Sequence, residues 1–335
     1  MVNKNSNLHR AKKERDDEFY TTYETIEKEL THYISQFKGK TVLCNCDNPF
    51  VSNFCKFFLR NFNILGLKRL ICTSYMSFNS MQTSVFDVEP IHKFGCVLDV
   101  KKISADFLSD DSISDFLIFS VKPLKGSGDF RSSECLKYLR QSDIVVTNPP
   151  FSLFKEMVSV ILRHKKQFLL IGNQNALTYK EIFPLIKNNI IWTGYQFGEM
   201  QFKVPANSEP RSTRYWVDDT GQKWRSLGNA MWLTNLDNEK RHKNLKLTQK
   251  FNPLIHPRYD NYNAIHVRNI TEIPFDYNGI MGVPITIINR YNSEQFEIVG
   301  EANHGSDNKY DIFKPILHGR EVFKRILIRN KAYEQ

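Results

Sequence analysis

The sequence lacks the features of a membrane or secreted protein. No apolar run approaches the roughly 20 residues that a membrane-spanning helix needs, and residues 1–15 contain no apolar core of a secretory signal. The six cysteines, which fall between Cys44 and Cys135, form no Cys-x2-Cys pair and no His-containing zinc spacing. These absences predict a cytoplasmic protein with reduced cysteines and no metal site.

Acidic residues are fewer than basic ones. The 335 residues include 46 Lys and Arg against 36 Asp and Glu, for a net charge of +10, and 41% of them are hydrophobic, enough for a substantial core. Basic residues concentrate in two stretches, 201–225 and 237–258. Such an excess is typical of a protein that binds a phosphate backbone, but it is equally typical of a solvated basic surface, and charge alone leaves both open.

Apolar runs that alternate with amphipathic stretches predict an α/β fold. Over residues 38–190 the pattern is strand, turn, helix, repeated, which indicates a doubly wound, mainly parallel sheet. The predicted core strands lie at 40–46, 70–73, 144–147 and 168–171, with further strands near 190–197 and 230–236. An amphipathic helix is predicted over 22–37, ahead of the first strand.

Two helix starts are predicted from capping residues. Asp47 and Asn48, with Pro49 in the first turn, should cap a helix that follows the first strand. The spacing Thr178-x-x-Glu181 is a capping box and predicts that another helix starts there.

The tetrapeptide Asn148-Pro149-Pro150-Phe151 carries the strongest chemical signal. It follows a buried strand, and ligands of open α/β sheets bind beyond the carboxyl ends of the strands. The Asn148 amide oxygen and the Pro149 carbonyl could accept hydrogen bonds from an amino group on a base, and Phe151 could stack on that base. An ordinary strand-ending turn is the competing interpretation, because Asn-Pro and Pro-Pro are turn signals.

This tetrapeptide looks like motif IV of the S-adenosyl-L-methionine-dependent amino-methyltransferases. The wider sequence resembles the EcoRI-type adenine-specific DNA methyltransferases over almost the whole chain, from Asp17 to the last strand. The runs that carry this resemblance are 44–49, 128–134, 142–154, 232–236 and 276–286. The resemblance implies a class I methyltransferase fold and transfer of a methyl group from S-adenosyl-L-methionine to N6 of a flipped-out adenine in double-stranded DNA.

The resemblance also implies roles for single residues. Asn148, Pro149, Pro150 and Phe151 would be catalytic. Asp129 would accept from the adenine amine of the cofactor while Phe130 packs on its ring. The implied cofactor-binding set is Asp17, Phe19, Tyr20, Thr21, Asn45, Asp47, Asn48, Pro49, Asp129 and Phe130.

The turn after the first strand lacks the glycines that most methyltransferases have there. Residues 46–49 contain none, although the backbone usually approaches the cofactor closely at this point. The second strand likewise ends at 73–75 without the usual acidic residue for the ribose hydroxyls. The EcoRI-type group shares the glycine-free turn, so its presence does not argue against membership of that family. It bears only on which residues contact the cofactor.

The chain is expected to divide into three parts. These are an N-terminal arm and helix (1–37), a catalytic domain (38–236, with insertions near 76–127 and 205–228) and a target-recognition region (237–335). Basic, aromatic and amide residues are the candidates for DNA contacts. They are Arg211, Arg214, Lys223, Arg225, Lys240, Arg241, Lys243, Lys246, Tyr259, Asn261 and Tyr262.

Other functions fit parts of the pattern. An RNA adenine methyltransferase uses a similar tetrapeptide, a glutamine methyltransferase acting on protein usually has Tyr at the Phe151 position, and a decayed methyltransferase could bind DNA without catalysis. The resemblance over 130–155 and 275–290 favours the DNA enzyme over the RNA enzyme, the basic excess argues against a protein methyltransferase, and the intact tetrapeptide argues against a decayed enzyme. The DNA enzyme is expected to be monomeric, to need no metal, and to act separately from any cognate restriction endonuclease.

Overall fold

The structure is a computed structural model that describes residues 20–75, 94–103, 110–206, 208–210, 212–302 and 314–333. It divides into two compact units, one made of residues up to 173 with 198–236, the other of 174–197 with 237–335. Three predicted site residues, Asp17, Phe19 and Arg211, lie outside the described residues, as does most of the predicted insertion before residue 94.

A ten-stranded sheet dominates the fold. Its order is β1-β8-β10-β7-β6-β2-β3-β4-β5, and β9 pairs with β10. The strands are β1 (Tyr20–Thr21), β2 (Thr41–Asn45), β3 (Arg69–Ser74), β4 (Cys96–Val100), β5 (Lys122–Pro123), β6 (Ile144–Thr147), β7 (Gln167–Asn173), β8 (Trp192–Lys203), β9 (Tyr215–Val217) and β10 (Lys223–Thr234).

The centre of this sheet is parallel and its flanks are not. Strands β3, β2, β6 and β7 pair in parallel, and β2 and β6 are buried along their full lengths, as buried parallel strands are. On one flank β4 runs antiparallel to β3. On the other, β10 runs antiparallel to β7. The predicted α/β class is confirmed.

The helices lie mainly between the parallel strands in sequence. They are α1 (Tyr23–Leu30), α2 (Ile34–Phe37), α3 (Asn53–Arg60), α4 (Asp110–Ser120), α5 (Ser133–Gln141), α6 (Phe154–Arg163) and α7 (Phe183–Lys187). The predicted helix 22–37 is α1 and α2 with a 3-10 turn, Thr31–Tyr33, between them. No helix of the described segments is long and apolar enough to cross a membrane.

Both predicted helix starts are wrong. The cap of α3 is Ser52, whose hydroxyl accepts from the amides of Phe54 and Cys55, because the Asp47 carboxylate is occupied elsewhere. The helix expected at Thr178 starts only at Phe183, because the Thr178 hydroxyl donates to the Asn175 carbonyl and accepts from the Lys324 ammonium.

The second unit is built on a smaller sheet of four strands. Their order is β11 (Ile265–His266), β12 (Met281–Val283), β16 (Arg325–Asn330) and β13 (Phe296–Ala302), and a short pair, β14 (Ile316–Leu317) and β15 (Arg320–Glu321), stands apart. Tyr259, Ala264, Ala302 and Leu327 form a buried cluster in this unit. The strand-like stretch predicted over 283–288 is mostly a 3-10 segment, Ile285–Arg290.

Candidate active site

The predicted catalytic tetrapeptide lies directly at the carboxyl end of β6. Strand β6 ends at Thr147, and Phe151 begins a 3-10 turn that leads into α6. Pro149 is buried, whereas Asn148, Pro150 and Phe151 are half-buried. The tetrapeptide is therefore held by the core on one side and accessible on the other.

The amide of Asn148 is oriented by a residue far away in sequence. Its Nδ2 donates to Thr21 Oγ1 at 3.2 Å, and the Thr21 carbonyl accepts from Asn53 Nδ2 at 2.7 Å. Strand β1 thus fixes the nitrogen side of the amide. The amide oxygen, which is buried, lies on the opposite side of the amide group from this nitrogen and is an acceptor by its chemistry.

Asp47 is a buried carboxylate between two hydroxyl donors. The Ser52 hydroxyl donates to Oδ1 at 2.8 Å, and the Thr147 hydroxyl donates to Oδ2 at 2.5 Å. The Asp47 backbone amide donates to the Thr73 carbonyl at 3.1 Å. The ends of β2, β3 and β6 are joined in this way, one residue before Asn148.

Burial controls the protonation of Asp47. Removal from water raises its pKa from 3.8 to about 6, against the hydrogen bonds from Thr147 and Ser52, which lower it. Burial also raises the pKa of the neighbouring Cys44 thiol to about 11. The cysteines at this edge are therefore protonated at neutral pH and do not act as nucleophiles.

Asn45 presents a polar atom with no partner. Its Nδ2 donates to the Met157 sulfur at 3.6 Å, whereas its Oδ1 is buried and accepts no hydrogen bond from any part of the chain that the structure describes. An unsatisfied buried oxygen costs about 1–3 kcal/mol unless a ligand satisfies it. Together with Asp47, this oxygen fits a small polar ligand such as a methyl-donor cofactor at the carboxyl edge of β2.

Two glycines permit a close backbone approach beside this edge. Gly128 has φ +79° and lies so close to the end of β3 that a Cβ would come within 2.0 Å of the Ser74 carbonyl oxygen. A Cβ on Gly95 would meet Gly128 Cα at 2.6 Å. The two glycines therefore allow the segment before Asp129 to pack directly against the end of β3.

Asp129 is already paired. Its carboxylate accepts from Arg131 Nη2 at 2.6 Å and from Nε at 2.9 Å, which holds the pKa of Asp129 below its ordinary value. Phe130 is 5% exposed, so most of its ring lies in the core. An ionised Asp129 suits the predicted acceptor role, but a ligand would share this carboxylate with Arg131.

The structure brings most of the predicted cofactor and catalytic residues to one edge and adds others. Thr21 contacts Asn148, Asp47 contacts Thr147 directly before it, and Asn45 is the last residue of β2. Asn48 and Pro49 form the turn into α3, in which the Asn48 carbonyl accepts from the Ser52 amide at 2.8 Å. Sequence reasoning missed Thr147, Ser52 and Asn53. Thr147 adjoins the motif and could have been found by position, but Asn53 reaches Thr21 only through the fold.

The predicted DNA-contacting residues of the first unit that the structure describes lie on or next to a two-stranded ribbon formed by β9 and the start of β10. Lys223 and Arg225 lie on β10, and Arg214 directly precedes β9. Lys223 Nζ donates to the carbonyls of Ala206 and Ser208, at 2.5 Å and 3.0 Å, and therefore holds the loop that precedes the ribbon. Arg225 is half-buried. Arg214 is exposed and lies against Gly228.

In the second unit the predicted cations differ in their surroundings. Lys240 Nζ donates to the Gly194 carbonyl at 2.6 Å, and the Arg241 guanidinium stacks 3.4 Å above the centre of the Trp192 ring. Both serve the packing of this unit. Lys243 and Lys246 are exposed, so their charges face solvent.

The structure places the aromatic segment near residue 260 in the core of the second unit. Tyr259 is 5% exposed, its hydroxyl is 2.9 Å from His266 Nδ1, and its ring stacks on Tyr262. Asn261 donates to the Lys314 carbonyl and accepts from the Ile316 amide. These residues pack and join elements, so the base-reading interpretation gains no support from their positions.

No group of His, Cys, Asp and Glu within the described segments is placed to hold a metal ion. The site consists instead of amide and carbonyl acceptors, a buried carboxylate and an aromatic ring, which suits group transfer to a polar, planar substrate.

Comparison with known proteins assigns the family. The sequence pattern of the family described as adenine-specific methyltransferase EcoRI matches residues 7–331. The chain is 45% identical to the type II methyltransferase M.EcoRI of Escherichia coli, over 99% of this chain and 98% of that protein. This chain belongs to the EcoRI-type adenine-specific methyltransferase family.

More distant members extend the comparison. The chain is 37% identical to the type II methyltransferase M.MpnI of Mycoplasma pneumoniae, over 87% of this chain and 84% of that protein. It is also 37% identical to M.MgeORF184P of Mycoplasma genitalium, over 87% and 85% of the two chains. The EcoRI-type chain is an adenine-specific DNA methyltransferase, which confirms the predicted family, fold class and activity.

Proposed function

We propose that this EcoRI-type enzyme transfers a methyl group from S-adenosyl-L-methionine to N6 of an adenine that has left the DNA duplex, as the modification enzyme of a type II restriction–modification system. The observation that carries this proposal is the Asn148 amide, whose nitrogen side is fixed by Thr21 at the end of β6 so that its oxygen points the other way. Any cognate restriction endonuclease acts separately, and the enzyme acts as a monomer.

Asn148 and Pro149 are the proposed acceptors for the adenine amino group. The lone pair of this amine is delocalised into the ring, so the amine is a poor nucleophile. Hydrogen bonds from its two N–H groups to the Asn148 oxygen and the Pro149 carbonyl favour a tetrahedral nitrogen and stabilise its developing positive charge. Preorganised groups of this kind contribute about 10²- to 10³-fold to a rate, measured when one is removed.

Phe151 and Pro150 complete the proposed base site. Phe151, the last residue of the tetrapeptide, is half-buried. Its ring is the proposed stacking surface for a displaced base. Displacement of an adenine costs a few kcal/mol, which contacts in the site offset. The proton lost from N6 after methylation passes to water or to the same acceptors, so no dedicated base is required.

The proposed cofactor site lies beside Asp47. When bound, S-adenosyl-L-methionine supplies an already activated sulfonium methyl group. Asn45, Asp47, Asn48 and Pro49 would hold it at the end of β2, Asp129 and Phe130 would hold its adenine, and Tyr20 and Thr21, with Asp17 and Phe19, would line its methionine side. Support comes from the unsatisfied Asn45 oxygen at the carboxyl end of β2.

We propose that residues 38–236 form the catalytic domain, with 1–37 as an N-terminal arm and helix, and that 237–335 contribute DNA contacts. Lys243 and Lys246 are suited to phosphates because their side chains are exposed, whereas the ammonium of Lys240 is bound to a backbone carbonyl. Arg214 and Arg225 are the candidates on the ribbon.

The test is methyl transfer from labelled S-adenosyl-L-methionine to duplex DNA, single-stranded DNA and RNA offered in separate reactions. The proposal predicts label in duplex DNA, recovered as N6-methyladenine after digestion to nucleosides. Label in RNA with an unlabelled duplex would contradict it and support an RNA methyltransferase. Sequencing of the methylated DNA then gives the target site.

A further inference from the structure

The ribbon formed by β9 and β10 carries a stacked pair of tryptophans. Trp216 and Trp224 are directly opposite each other in the antiparallel register, so both side chains lie on the same face. Their ring centres are 6.1 Å apart and the planes differ by 4°. The flanking pairs, Tyr215 with Arg225 and Val217 with Lys223, lie on the opposite face because side chains alternate along a strand.

This ribbon extends beyond the edge of the sheet where the catalytic residues lie. Strand β10 pairs with β7 only from Ala230, opposite Asn173 at the carboxyl end of β7, to Thr234. Residues 223–229 therefore continue past that end, over about 20 Å at roughly 3.3 Å per residue. Asn148 follows β6 at the same end, because β6 and β7 are parallel.

A short path of contacts joins the tryptophan pair to the catalytic amide. The Lys203 ammonium lies 5.4 Å from the centre of the Trp224 ring, and Lys203 pairs with Tyr20 in the sheet. The next residue, Thr21, holds the Asn148 amide. Strand β1 therefore connects the tryptophan pair to the amide that is proposed to bind the adenine.

The turn of the ribbon is held rigidly by Asp218. Its Oδ1 accepts from the amides of Thr220 and Gln222, and its Oδ2 accepts from Trp224 Nε1 at 2.7 Å. Hydrogen bonds from Thr220 and Trp224 lower the pKa of Asp218 to about 2. The orientation of the Trp224 ring is thereby set before any ligand arrives.

The chemistry of this face matches a nucleotide. Trp216 remains 36% exposed, and Lys203, on the far side of Trp224 from Trp216, is exposed and positively charged. A two-stranded ribbon fits the major groove, and an aromatic ring that stacks on a base contributes about 1–3 kcal/mol, with little dependence on which base it is. The exposed aromatic surface lies next to a cation. It is therefore suited to stack on a base or deoxyribose whose neighbouring base has been displaced from the duplex.

We infer that the Trp216–Trp224 face binds the duplex next to the displaced adenine, by stacking of Trp216 on a nucleotide, and that Lys203 contacts the adjoining phosphate. This inference rests on the proposed function, since it requires a duplex whose adenine has left the stack. In this role the ribbon stabilises the complex of the enzyme with DNA from which the adenine has been displaced.

The test compares Trp216→Leu, which removes the ring, with Trp216→Phe, which keeps one. Phe119→Leu is the matched control, because Phe119 is 87% exposed on α4, in an element that joins the opposite flank of the sheet through β4. The Kd of a labelled duplex containing the mapped site is measured by anisotropy over a range of salt concentrations. The Kd of S-adenosyl-L-methionine is measured without DNA.

Trp216→Leu should raise the duplex Kd about 5- to 150-fold, the equivalent of roughly 1–3 kcal/mol. The slope of log Kd against log salt should not change, since no charge is removed. Trp216→Phe should recover most of the affinity, and the cofactor Kd and the Phe119→Leu protein should match wild type. In wild type, duplex binding should also quench tryptophan emission, and this quenching should be smaller in Trp216→Phe.

Wild-type affinity in Trp216→Leu would overturn the inference. Tryptophan emission of the wild-type protein that does not change with saturating duplex would also overturn it. This measurement needs no variant, so it remains decisive if the leucine variant unfolds. A wild-type enzyme that methylates the duplex in either case would leave the proposed function intact, whereas a wild-type enzyme that does not methylate duplex DNA would overturn the proposed function itself.

Discussion

At the scale of single residues, Asp47 shows how burial tunes a site that the sequence only outlines. Its folded pKa of about 6 lies above the ordinary 3.8. Below pH 4 the carboxyl is neutral in both folded and unfolded chains. Between pH 4 and 6 the unfolded chain ionises first, so stability falls as pH rises, and above pH 6 the folded chain bears the full cost of a buried charge.

Asp47→Asn removes that cost. We expect the variant to be more stable than wild type above pH 6, by up to about 3 kcal/mol for a shift of about two pKa units, with the difference shrinking toward pH 4. Urea unfolding at a series of pH values measures it. Asp110→Asn is a suitable control, because Asp110 forms exposed ion pairs with Lys56 and Arg60. A stability difference that does not vary with pH would contradict this explanation.

At the residue scale, the position of the tetrapeptide was predictable, whereas the catalytic and binding roles of single residues stay predictions. The tetrapeptide could be placed because four adjacent residues follow a buried strand. The roles of Lys240 and Arg241 could not be predicted, because their partners, Gly194 and Trp192, lie about fifty positions earlier and become neighbours only in the fold.

At the scale of elements, Gly128 lies in close backbone contact with the end of β3, directly before Asp129 of the proposed cofactor site. Gly128→Ala would place a methyl group 2.0 Å from a backbone oxygen that cannot move aside easily. We expect a loss of several kcal/mol in unfolding free energy, or a weaker affinity for S-adenosyl-L-methionine as the Asp129 loop moves away.

Gly221→Ala provides the comparison for this variant. Gly221 also has a positive φ, +82°, but has no atom within 4 Å of the added Cβ. Gly221→Ala should therefore cost only the strain of a left-handed backbone, roughly 1–2 kcal/mol. Equal effects of the two substitutions on thermal unfolding and on cofactor titration would contradict the steric explanation.

The elements themselves were predictable in part. Buried apolar runs located the four central strands to within about two residues. The antiparallel direction of β4 and β10 was not predictable, because the spacing of apolar residues is the same in both directions. The helix expected at Thr178 failed for a tertiary reason, since Lys324, from the other end of the chain, occupies the hydroxyl that the cap required.

At the scale of the whole molecule, the net charge of +10 can be related to particular exposed lysines. Replacement of Lys243 and Lys246 by Gln should weaken binding to every duplex sequence, because phosphate contacts carry no sequence information. The slope of log K against log salt should decrease by about 0.9 for each phosphate that a lysine no longer neutralises. Target choice should be unchanged.

Lys240→Gln should behave differently. Its ammonium is bound to carbonyl oxygens within the second unit, so its removal should lower thermal stability more than it changes the salt slope. Salt-dependent anisotropy and thermal unfolding, measured on the same variants, separate the two effects. An altered target sequence in the Lys243 and Lys246 variants would show instead that these residues read bases.

The proposed role of the Asn148 amide in methyl transfer can be tested by the single-turnover rate of methyl transfer to duplex DNA. With enzyme and labelled S-adenosyl-L-methionine saturating, Asn148→Ala should reduce this rate about 10²- to 10³-fold, while the duplex and cofactor Kd values stay near those of wild type. Asn188→Ala, at an exposed position after α7, should transfer at the wild-type rate. A wild-type rate in Asn148→Ala would show that this amide does not stabilise the transition state.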